Sequence, residues 1–423
     1  MARLIIRNIG AIRNVEIELN RFNIFIGPQS SGKSTIAKII SFCLWLEKNS
    51  VLSSREGDFK AQFMAFHNID ENYFREDSFI QYTSQCCHIE AHGVDLDSSV
   101  NITLDNDKNR IFRNRKISYI PAERNFVAAL PNLGKYTGDN NNITNFLYDW
   151  YKAKLQYSEK SVFEFPITID NNVSYHYSKD KDIDNIVLGN AQSIKLQHSS
   201  SGIQSIIPLL IVCEYALNAV YKEERVQSPF EVLHFEEKAK LLQNDALYKI
   251  LALMEQQQKI LEKLKDKQDQ FSKSIIDAIS QQQEEIANVL GLYSKYHYTQ
   301  LIIEEPEQNL FPETQRDLVY HLLRLMQNGR ENELVITTHS PYILYALNNC
   351  MMGYLVKDNI AEESLLCKDS MVDPNMVSIW EINNGELVQI QDANTKTLGK
   401  HYFNRNMNSI MNEYYTMLKY LKL

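Results

Sequence analysis

FNIFIGPQSSGKST, residues 22–35, decides the fold, because it joins an apolar segment to a loop of the form GxxxxGK[ST]. The pattern indicates a phosphate-binding loop only where a strand precedes it and a helix follows. FNIFI has the composition of a buried strand, and STIAKIISFCLWLEK, from residue 34, has that of an apolar helix. We therefore predict a phosphate-binding loop at 27–35, in preference to a glycine turn before a core helix.

Each residue type in this loop has a physical role in holding a polyphosphate. Gly27 and Gly32 let the backbone turn its N–H groups inward, and the helix N-terminus beyond adds about half a positive charge. Lys33 is expected to reach the β- and γ-phosphates, and the Ser34 hydroxyl to bind Mg²⁺. The residues expected to bind nucleotide are Gly27, Pro28, Gln29, Ser30, Ser31, Gly32, Lys33, Ser34 and Thr35.

Two acidic side chains follow a second apolar strand, in YTQLIIEEPEQNLFP at 298–312. The strand predicted at Leu301–Ile303 ends at Glu304 and Glu305, and ligands of open α/β sheets bind at the carboxyl ends of the strands. We expect Glu304 to hold Mg²⁺ and Glu305 to orient or deprotonate the attacking water, as phosphoryl transfer requires. The alternative is a solvated acidic loop.

A third strand, in ELVITTHSPYIL at 333–344, ends in small polar residues and His339. Leu334–Thr337 is predicted to lie beside the Glu304 strand in a parallel sheet, because the two segments have the same pattern. We expect His339 to hydrogen-bond the γ-phosphate or the attacking water. The alternative is a structural histidine.

Together, these motifs resemble the ATP-binding heads of ABC-type ATPases in the SMC, RecF and OLD group. The resemblance rests on the loop at 27–35, on IIEEPEQNLFP at 302–312 and on ITTHSP at 336–341. A fourth segment, QHSSSGIQSIIPLLIVCEYAL at 197–217, is similar to the family's signature loop. Its matching residues are Ser201, Gly202 and Gln204.

The resemblance implies a fold, a reaction and an assembly. The expected fold is an α/β P-loop NTPase of the ABC-ATPase type, with a mixed and parallel sheet, flanking helices and a helical insertion. The expected reaction is hydrolysis of ATP with Mg²⁺, in which Lys33, Glu305 and His339 are catalytic and Ser34 and Glu304 bind the metal. The signature residues would contact ATP held by a second subunit, which implies a homodimer. Taken alone, they also fit a helix N-cap.

The resemblance also suggests a biological role. Bacterial relatives with an ATPase head and no nuclease domain act as sensor subunits of anti-phage systems and control a separate effector protein. No toprim-like acidic pattern follows His339, so we do not expect nuclease activity in this chain. The alternatives are a non-hydrolysing scaffold and a DNA-binding repair or maintenance ATPase of the RecF/SMC type. Nucleic-acid binding would involve the basic cluster KNRIFRNRK at 108–116, with Arg110, Arg113 and Arg115.

Composition limits the class of protein. The 423 residues carry 53 acidic and 44 basic side chains, and a net charge of −9 excludes a surface that is basic all over. The net charge does not exclude a local basic groove. The opening MARLIIRNIG lacks the pattern of a signal peptide, and no run reaches about 18 apolar residues. We expect a cytoplasmic protein without membrane contact.

The chain divides into a discontinuous head and two additions. The head is predicted at 1–228 and 292–352, with polar insertions at 50–115 and 128–195. Between Pro229 and Gly291 there is neither proline nor glycine, and apolar residues recur at helical spacing, so 229–291 is predicted as a helical insertion. Residues 353–423 are predicted as a hairpin, turning near Asn384, and an amphipathic helix.

Overall fold

The computed structural model describes residues 2–50, 59–85, 87–102, 113–129, 141–167, 173–189, 192–222, 295–360 and 365–421. The helical insertion predicted at 229–291 lies outside these residues. The described strands are β1 Ala2–Ile9, β2 Ile12–Leu19, β3 Phe22–Ile26, β4 Phe79–Thr83, β5 Cys87–His92, β6 Asp97–Ile102, β7 Arg115–Ile120, β8 Phe163–Glu164, β9 Ser174–Ser178, β10 Ile183–Val187, β11 Ser193–Lys195, β12 Tyr298–Glu304, β13 Glu333–Thr338, β14 Val377–Asn383 and β15 Glu386–Gln389.

The described α-helices flank these strands. They are α1 Lys33–Ser50, α2 Phe59–His67, α3 Phe126–Ala129, α4 Asn142–Lys154, α5 Ser201–Leu217, α6 Pro312–Met326, α7 Pro341–Val356 and α8 Tyr402–Leu418.

One large mixed sheet organises the described part of the chain. Its order is β6-β5-β4-β1-β2-β15-β14-β3-β13-β12-β7. The strands β14, β3, β13, β12 and β7 are parallel, whereas β6, β5, β4, β1 and β2 form an antiparallel wing. A second, antiparallel sheet has the order β11-β10-β9-β8. The mixed sheet confirms the predicted α/β class.

The central strands are buried on both faces. In β3, Ile24 packs in the core that contains α5, whereas its neighbour Phe25 packs with α1 on the opposite face. In β12, Ile303 packs in the core that contains α5, and its neighbour Ile302 packs in the core that contains α1. Because successive strand side chains point to opposite faces, this pattern requires a helical layer on each side of the sheet.

The carboxyl ends of the parallel strands lie side by side. Glu304 at the end of β12 is paired with Thr337 in β13, and Thr338 is paired with Ile26 at the end of β3. Ile26 is also paired with Glu381 in β14. The predicted adjacency of the two late strands is confirmed, and the glycine loop leaves β3 at the same edge.

The C-terminal hairpin forms, but it does not stand apart from the head as the predicted boundary at residue 353 implied. β14 is inserted between β3 and β15, and β15 adjoins β2. The hairpin turn packs on the turn between β1 and β2, where the N–H groups of Arg13 and Asn14 donate to the Gly385 carbonyl at 2.8 and 3.1 Å. The sheet therefore extends past residue 352.

The two polar insertions have different structures. Residues 50–115 contribute β4, β5 and β6 to the antiparallel wing. Residues 128–195 contain the small sheet and also α4. This helix is N-capped by Asn141 and buries Phe146, Leu147 and Trp150. Tertiary packing of these apolar side chains stabilises the helix, although the segment as a whole has a polar composition.

One segment among the described residues is long and apolar enough to cross a membrane by length and composition, namely Ser201–Lys222. Within it, 72% of the apolar window is buried inside the protein. Its helix α5 packs against α4 and α6. These contacts are those of a core helix.

Candidate active site

The glycine loop between β3 and α1 is tightly packed at both glycines of the GxxxxGK[ST] pattern. Gly27 has φ of 153°, and a Cβ there would lie 2.9 Å from the Ile382 carbonyl oxygen of β14. Gly32 has φ of 103°, and a Cβ there would lie 3.0 Å from Ile12 Cγ1. Both positions require glycine, since an L side chain would be strained and crowded. Neighbouring strands therefore hold the loop from two sides.

Lys33 is buried at the start of α1, with 4% of the residue exposed. Its Nζ donates to the carbonyls of Gly27 and Pro28 at 2.9 and 2.7 Å, and to Ser31 Oγ at 3.4 Å. Burial lowers the pKa of Lys33 to about 8, although the charge of Glu305 opposes this shift. A bound phosphate would favour the charged ammonium and replace part of the lost hydration.

Ser34 and Glu304, the two predicted metal residues, are brought together. Glu304 is 4% exposed, and its carboxylate accepts hydrogen bonds from Ser34 and from Tyr119 Oη, the latter at 2.6 Å. Burial raises the pKa of Glu304, and these hydrogen bonds limit the rise. A serine hydroxyl beside a carboxylate fits Mg²⁺, which takes oxygen ligands and only one or two carboxylates beside substrate phosphates.

Tyr119 could not be identified from sequence pattern, because its hydroxyl reaches Glu304 only through the pairing of β7 with β12, in which Tyr119 lies beside Ile302. Its ring is buried and its hydroxyl fixes one oxygen of the Glu304 carboxylate. We infer that Tyr119 orients Glu304 for the metal.

Tyr119→Phe is expected to raise the Mg²⁺ concentration for half-maximal ATPase activity about 10-fold, because lost outer hydrogen bonds to a metal ligand typically weaken metal affinity by that order. Tyr82→Phe is the matched control. Tyr82 is also buried and donates to a buried carboxylate, Glu47, at 2.9 Å, away from the glycine loop. It should leave the Mg²⁺ dependence unchanged, and equal shifts in both variants would contradict the assignment.

Glu305 lies at the exit of β12 in a left-handed backbone conformation, with φ of 44°. Its Oε1 is 3.2 Å from His339 Nε2, and both side chains are about one third exposed, at 31% and 32%. The hydrogen bond from His339 lowers the pKa of Glu305, against the opposing effect of burial, and the charge of Lys33 adds to the shift. Glu305 is therefore ionised at neutral pH and reaches solvent.

His339 contacts Glu305 directly. The predicted hydrogen bond of His339 to the γ-phosphate or the attacking water stays a prediction. The backbone N–H of His339 donates to Glu307 Oε1 at 2.6 Å, and burial raises the pKa of Glu307. Glu307 was not predicted, although it is the third acid of the EEPE run. Glu307 therefore stabilises the backbone turn at His339.

The loop between β12 and α6, residues 305–311, is called the acidic loop because it carries Glu305 and Glu307, and the signature segment begins α5 next to it. Ser201 is exposed, whereas the Gln204 side chain donates to the carbonyls of Gln197 and Ser199 at 3.1 and 2.9 Å. A Cβ on Gly202 would lie 2.9 Å from the Asn309 carbonyl oxygen. Gly202 therefore permits close packing, Gln204 stabilises the turn, and Ser201 is left facing solvent.

The structure describes residues 113–116 of the basic cluster at 108–116, and the basic side chains there form ion pairs with acidic residues. Arg113 forms an ion pair with Glu331. Arg115 is buried and pairs with Glu47 at 2.8 Å. Arg110 lies outside the described residues. Arg115 therefore cannot contact a phosphate backbone without breaking a buried pair, and the cluster gives little support to nucleic-acid binding.

The parallel sheet, the glycine loop at its carboxyl edge and the adjacent pair of glutamates are those of a P-loop ATPase. The sequence agrees with this class. Residues 3–296 match the family model described as an AAA domain, and residues 294–344 match the one described as an AAA ATPase domain. The chain belongs to the AAA domain family and is an ATPase.

Solved structures similar to the chain include ATP-binding heads of three kinds. The SMC head domain from Thermotoga maritima is 9% identical, with 92% of this chain and 98% of that chain covered and a TM-score of 0.36. The recombination mediator RecF in its nucleotide complex is 12% identical, with coverages of 92% and 97% and a TM-score of 0.30. A dimeric ATP-binding cassette with ADP and Pi is 12% identical, with coverages of 91% and 96% and a TM-score of 0.25. No curated protein matches the chain.

Proposed function

We propose that the chain hydrolyses ATP as a homodimer, with each nucleotide held between the glycine loop of one subunit and the signature segment of the other. The observation that carries the proposal is the exposed Ser201 at the N-terminus of a long core helix. A helix N-terminus with a free hydroxyl is suited to an anion. Since the loop at 27–35 supplies one phosphate site per chain, a second such site fits a nucleotide that is shared between two chains.

The residues at the sheet edge have separable roles in this reaction. Lys33 and the loop N–H groups bind the phosphates. Ser34 and Glu304 would hold Mg²⁺, which neutralises phosphate charge when it is bound. Glu305 orients the attacking water and accepts its proton, and His339 holds the Glu305 carboxylate in place.

We propose further that closure of the dimer controls a separate effector protein in bacterial anti-phage defence. This role is supported only by the resemblance to OLD-like ATPases without a nuclease domain. Phage plating on cells that carry the gene and its genomic neighbours, with wild-type chain or Glu305→Gln, tests it. Equal plating would contradict the role, and salt-sensitive DNA binding by the purified protein would favour the RecF/SMC alternative.

Complementation between two inactive variants tests the shared site. Lys33→Ala removes the phosphate-binding lysine, and Ser201→Arg blocks the signature segment with a large side chain. Each variant should be inactive alone. In an equimolar mixture half of the dimers are mixed and contain one intact site, so about a quarter of wild-type activity is expected if the two sites act independently.

Two results would contradict the shared site. The first is full activity of Ser201→Arg alone, since the exposed serine would then be unnecessary. The second is no recovery of activity in mixtures whose mixed dimers have been isolated through two different affinity tags. Glu313→Gln, on the exposed surface of α6, serves as a variant that should remain active throughout.

A further inference from the structure

Arg124 is a fully buried cation beside the active site, with 0% exposure. Its side chain has five N–H donors, and they reach five backbone carbonyls. The carbonyl partners are Pro121 at 3.3 Å, Ser205 at 3.2 Å, Glu304 at 2.9 Å, Glu305 at 2.8 Å and Pro306 at 3.4 Å.

These partners join three separate parts of the head. Pro121 follows β7, Ser205 is in the second turn of α5, and the other three carbonyls lie where β12 enters the acidic loop. A planar guanidinium can satisfy several carbonyls at fixed angles, which a single-point ammonium cannot. Arg124 therefore determines the orientation of consecutive peptide groups on both sides of Glu305.

A buried cation is costly, so its retention needs a reason. Burial lowers the pKa of Arg124 to about 10, while the charges of Glu307, Glu305 and Glu304 oppose that shift. It stays protonated at neutral pH. An apolar side chain of similar volume would avoid the desolvation cost. It would also remove all five side-chain donors, although the Pro121 and Glu305 carbonyls would keep the backbone N–H groups of residue 124 and Gln308, at 3.3 and 3.2 Å.

Glu305 is the group that most needs such support. Its left-handed φ of 44° costs about 1 kcal/mol or more for a residue with a Cβ. Four contacts hold it. Its N–H donates to Thr337 O at 2.9 Å, its carboxylate contacts His339 at 3.2 Å, and its carbonyl accepts from Arg124 at 2.8 Å and from the Gln308 N–H at 3.2 Å. Of these four, the Arg124 contact also fixes the peptides before and after Glu305.

We propose that Arg124 is a positioning residue for ATP hydrolysis. It holds the strained backbone of Glu305, aims the carboxylate at the water, and ties the acidic loop to the start of the signature helix through Ser205. The inference rests on the proposed function, because it takes Glu305 as the group that orients the water.

The test compares Arg124→Lys and Arg124→Gln with wild type in full-length protein. Both variants should lose about 100-fold in kcat, the scale expected when a catalytic group is misplaced by about 1 Å. KM and the affinity for a non-hydrolysable ATP analogue should change less than about threefold, since Arg124 does not touch the phosphates.

Arg115→Gln is the matched structural control. Arg115 also has a largely buried side chain, 11% exposed, but it lies at the start of β7 and its partner is the Glu47 carboxylate, at 2.8 Å. Leaving Glu47 buried without this cation should lower Tm. The substitution should not change kcat, because the pair lies at the amino end of β7, whereas the acidic loop lies at the carboxyl ends of the strands.

The outcomes separate this inference from the proposed function. Wild-type kcat in folded Arg124→Lys would overturn it, as would equal changes in Tm and kcat for the Arg124 and Arg115 variants. If Arg124→Gln does not fold, Arg124→Lys decides the question. Glu305→Gln is assayed in parallel. If that variant is active, the role proposed for Glu305 fails and this inference fails with it. If it is inactive while Arg124→Lys is active, only this inference fails.

Discussion

Glu305→Gln is expected to slow ATP hydrolysis by about 10²- to 10⁴-fold, the usual contribution of a positioned general base. The amide keeps the size of the side chain and can still contact His339, but it cannot accept the proton of the attacking water. ATP binding should change little, because Lys33 and the glycine loop are untouched. Phosphate release at saturating ATP, measured with the affinity for ATP by fluorescence titration, checks both parts.

Glu313→Gln is the control for this prediction, since Glu313 lies exposed in the first turn of α6 and pairs with Arg316 on the same helix. It should retain wild-type turnover. Undiminished turnover in Glu305→Gln would mean that another group orients the water, and Glu307 would then be the next carboxylate to consider. Its buried position and its contact with the His339 backbone argue for a structural role instead.

Lys33→Ala is expected to weaken ATP binding by about 100-fold or more, because truncating one partner of a buried charge contact costs 2–5 kcal/mol. The ammonium already lies over the loop in the structure, held by Gly27 and Pro28 carbonyls. Its lowered pKa also makes phosphate binding more favourable near neutral pH than above pH 8, where the free lysine loses its proton. Calorimetric titration with ATP measures the affinity directly.

Lys357→Ala is the control for the lysine variant. Lys357 follows α7 and lies 4.1 Å from the centre of the Tyr354 ring, on a helix end remote from the glycine loop. Its removal should leave ATP affinity unchanged. Unchanged affinity in Lys33→Ala, by contrast, would mean that the loop N–H groups hold the phosphates without the lysine.

The parts of the site that sequence could predict are those encoded by short contiguous patterns. The strand at 22–26, the glycine loop and the helix after it form one uninterrupted segment. The two later strands also end where their apolar runs meet polar residues, so Glu304, Glu305 and His339 were placed at the correct edge. Parallel pairing then brings these ends together, because parallel strands share one carboxyl edge.

The residues that sequence could not predict act across the fold. Tyr119 reaches Glu304 only because β7 and β12 are neighbours, and Arg124 reaches Glu305 over a separation of 181 residues. The insertion of β14 beside β3 likewise depends on packing between segments about 350 positions apart. Local periodicity carries no information on such pairings, which tertiary packing decides.

The central claim is that ATP closes a dimer with shared sites, and the solution mass of Glu305→Gln tests it most directly. The protein is measured by light scattering with Mg²⁺, with and without ATP, because blocked hydrolysis should trap the closed state. We predict ATP-dependent dimer formation, or compaction of an existing dimer, which is lost when Lys33→Ala or Ser201→Arg is added. A mass and shape that do not respond to saturating ATP would contradict the claim.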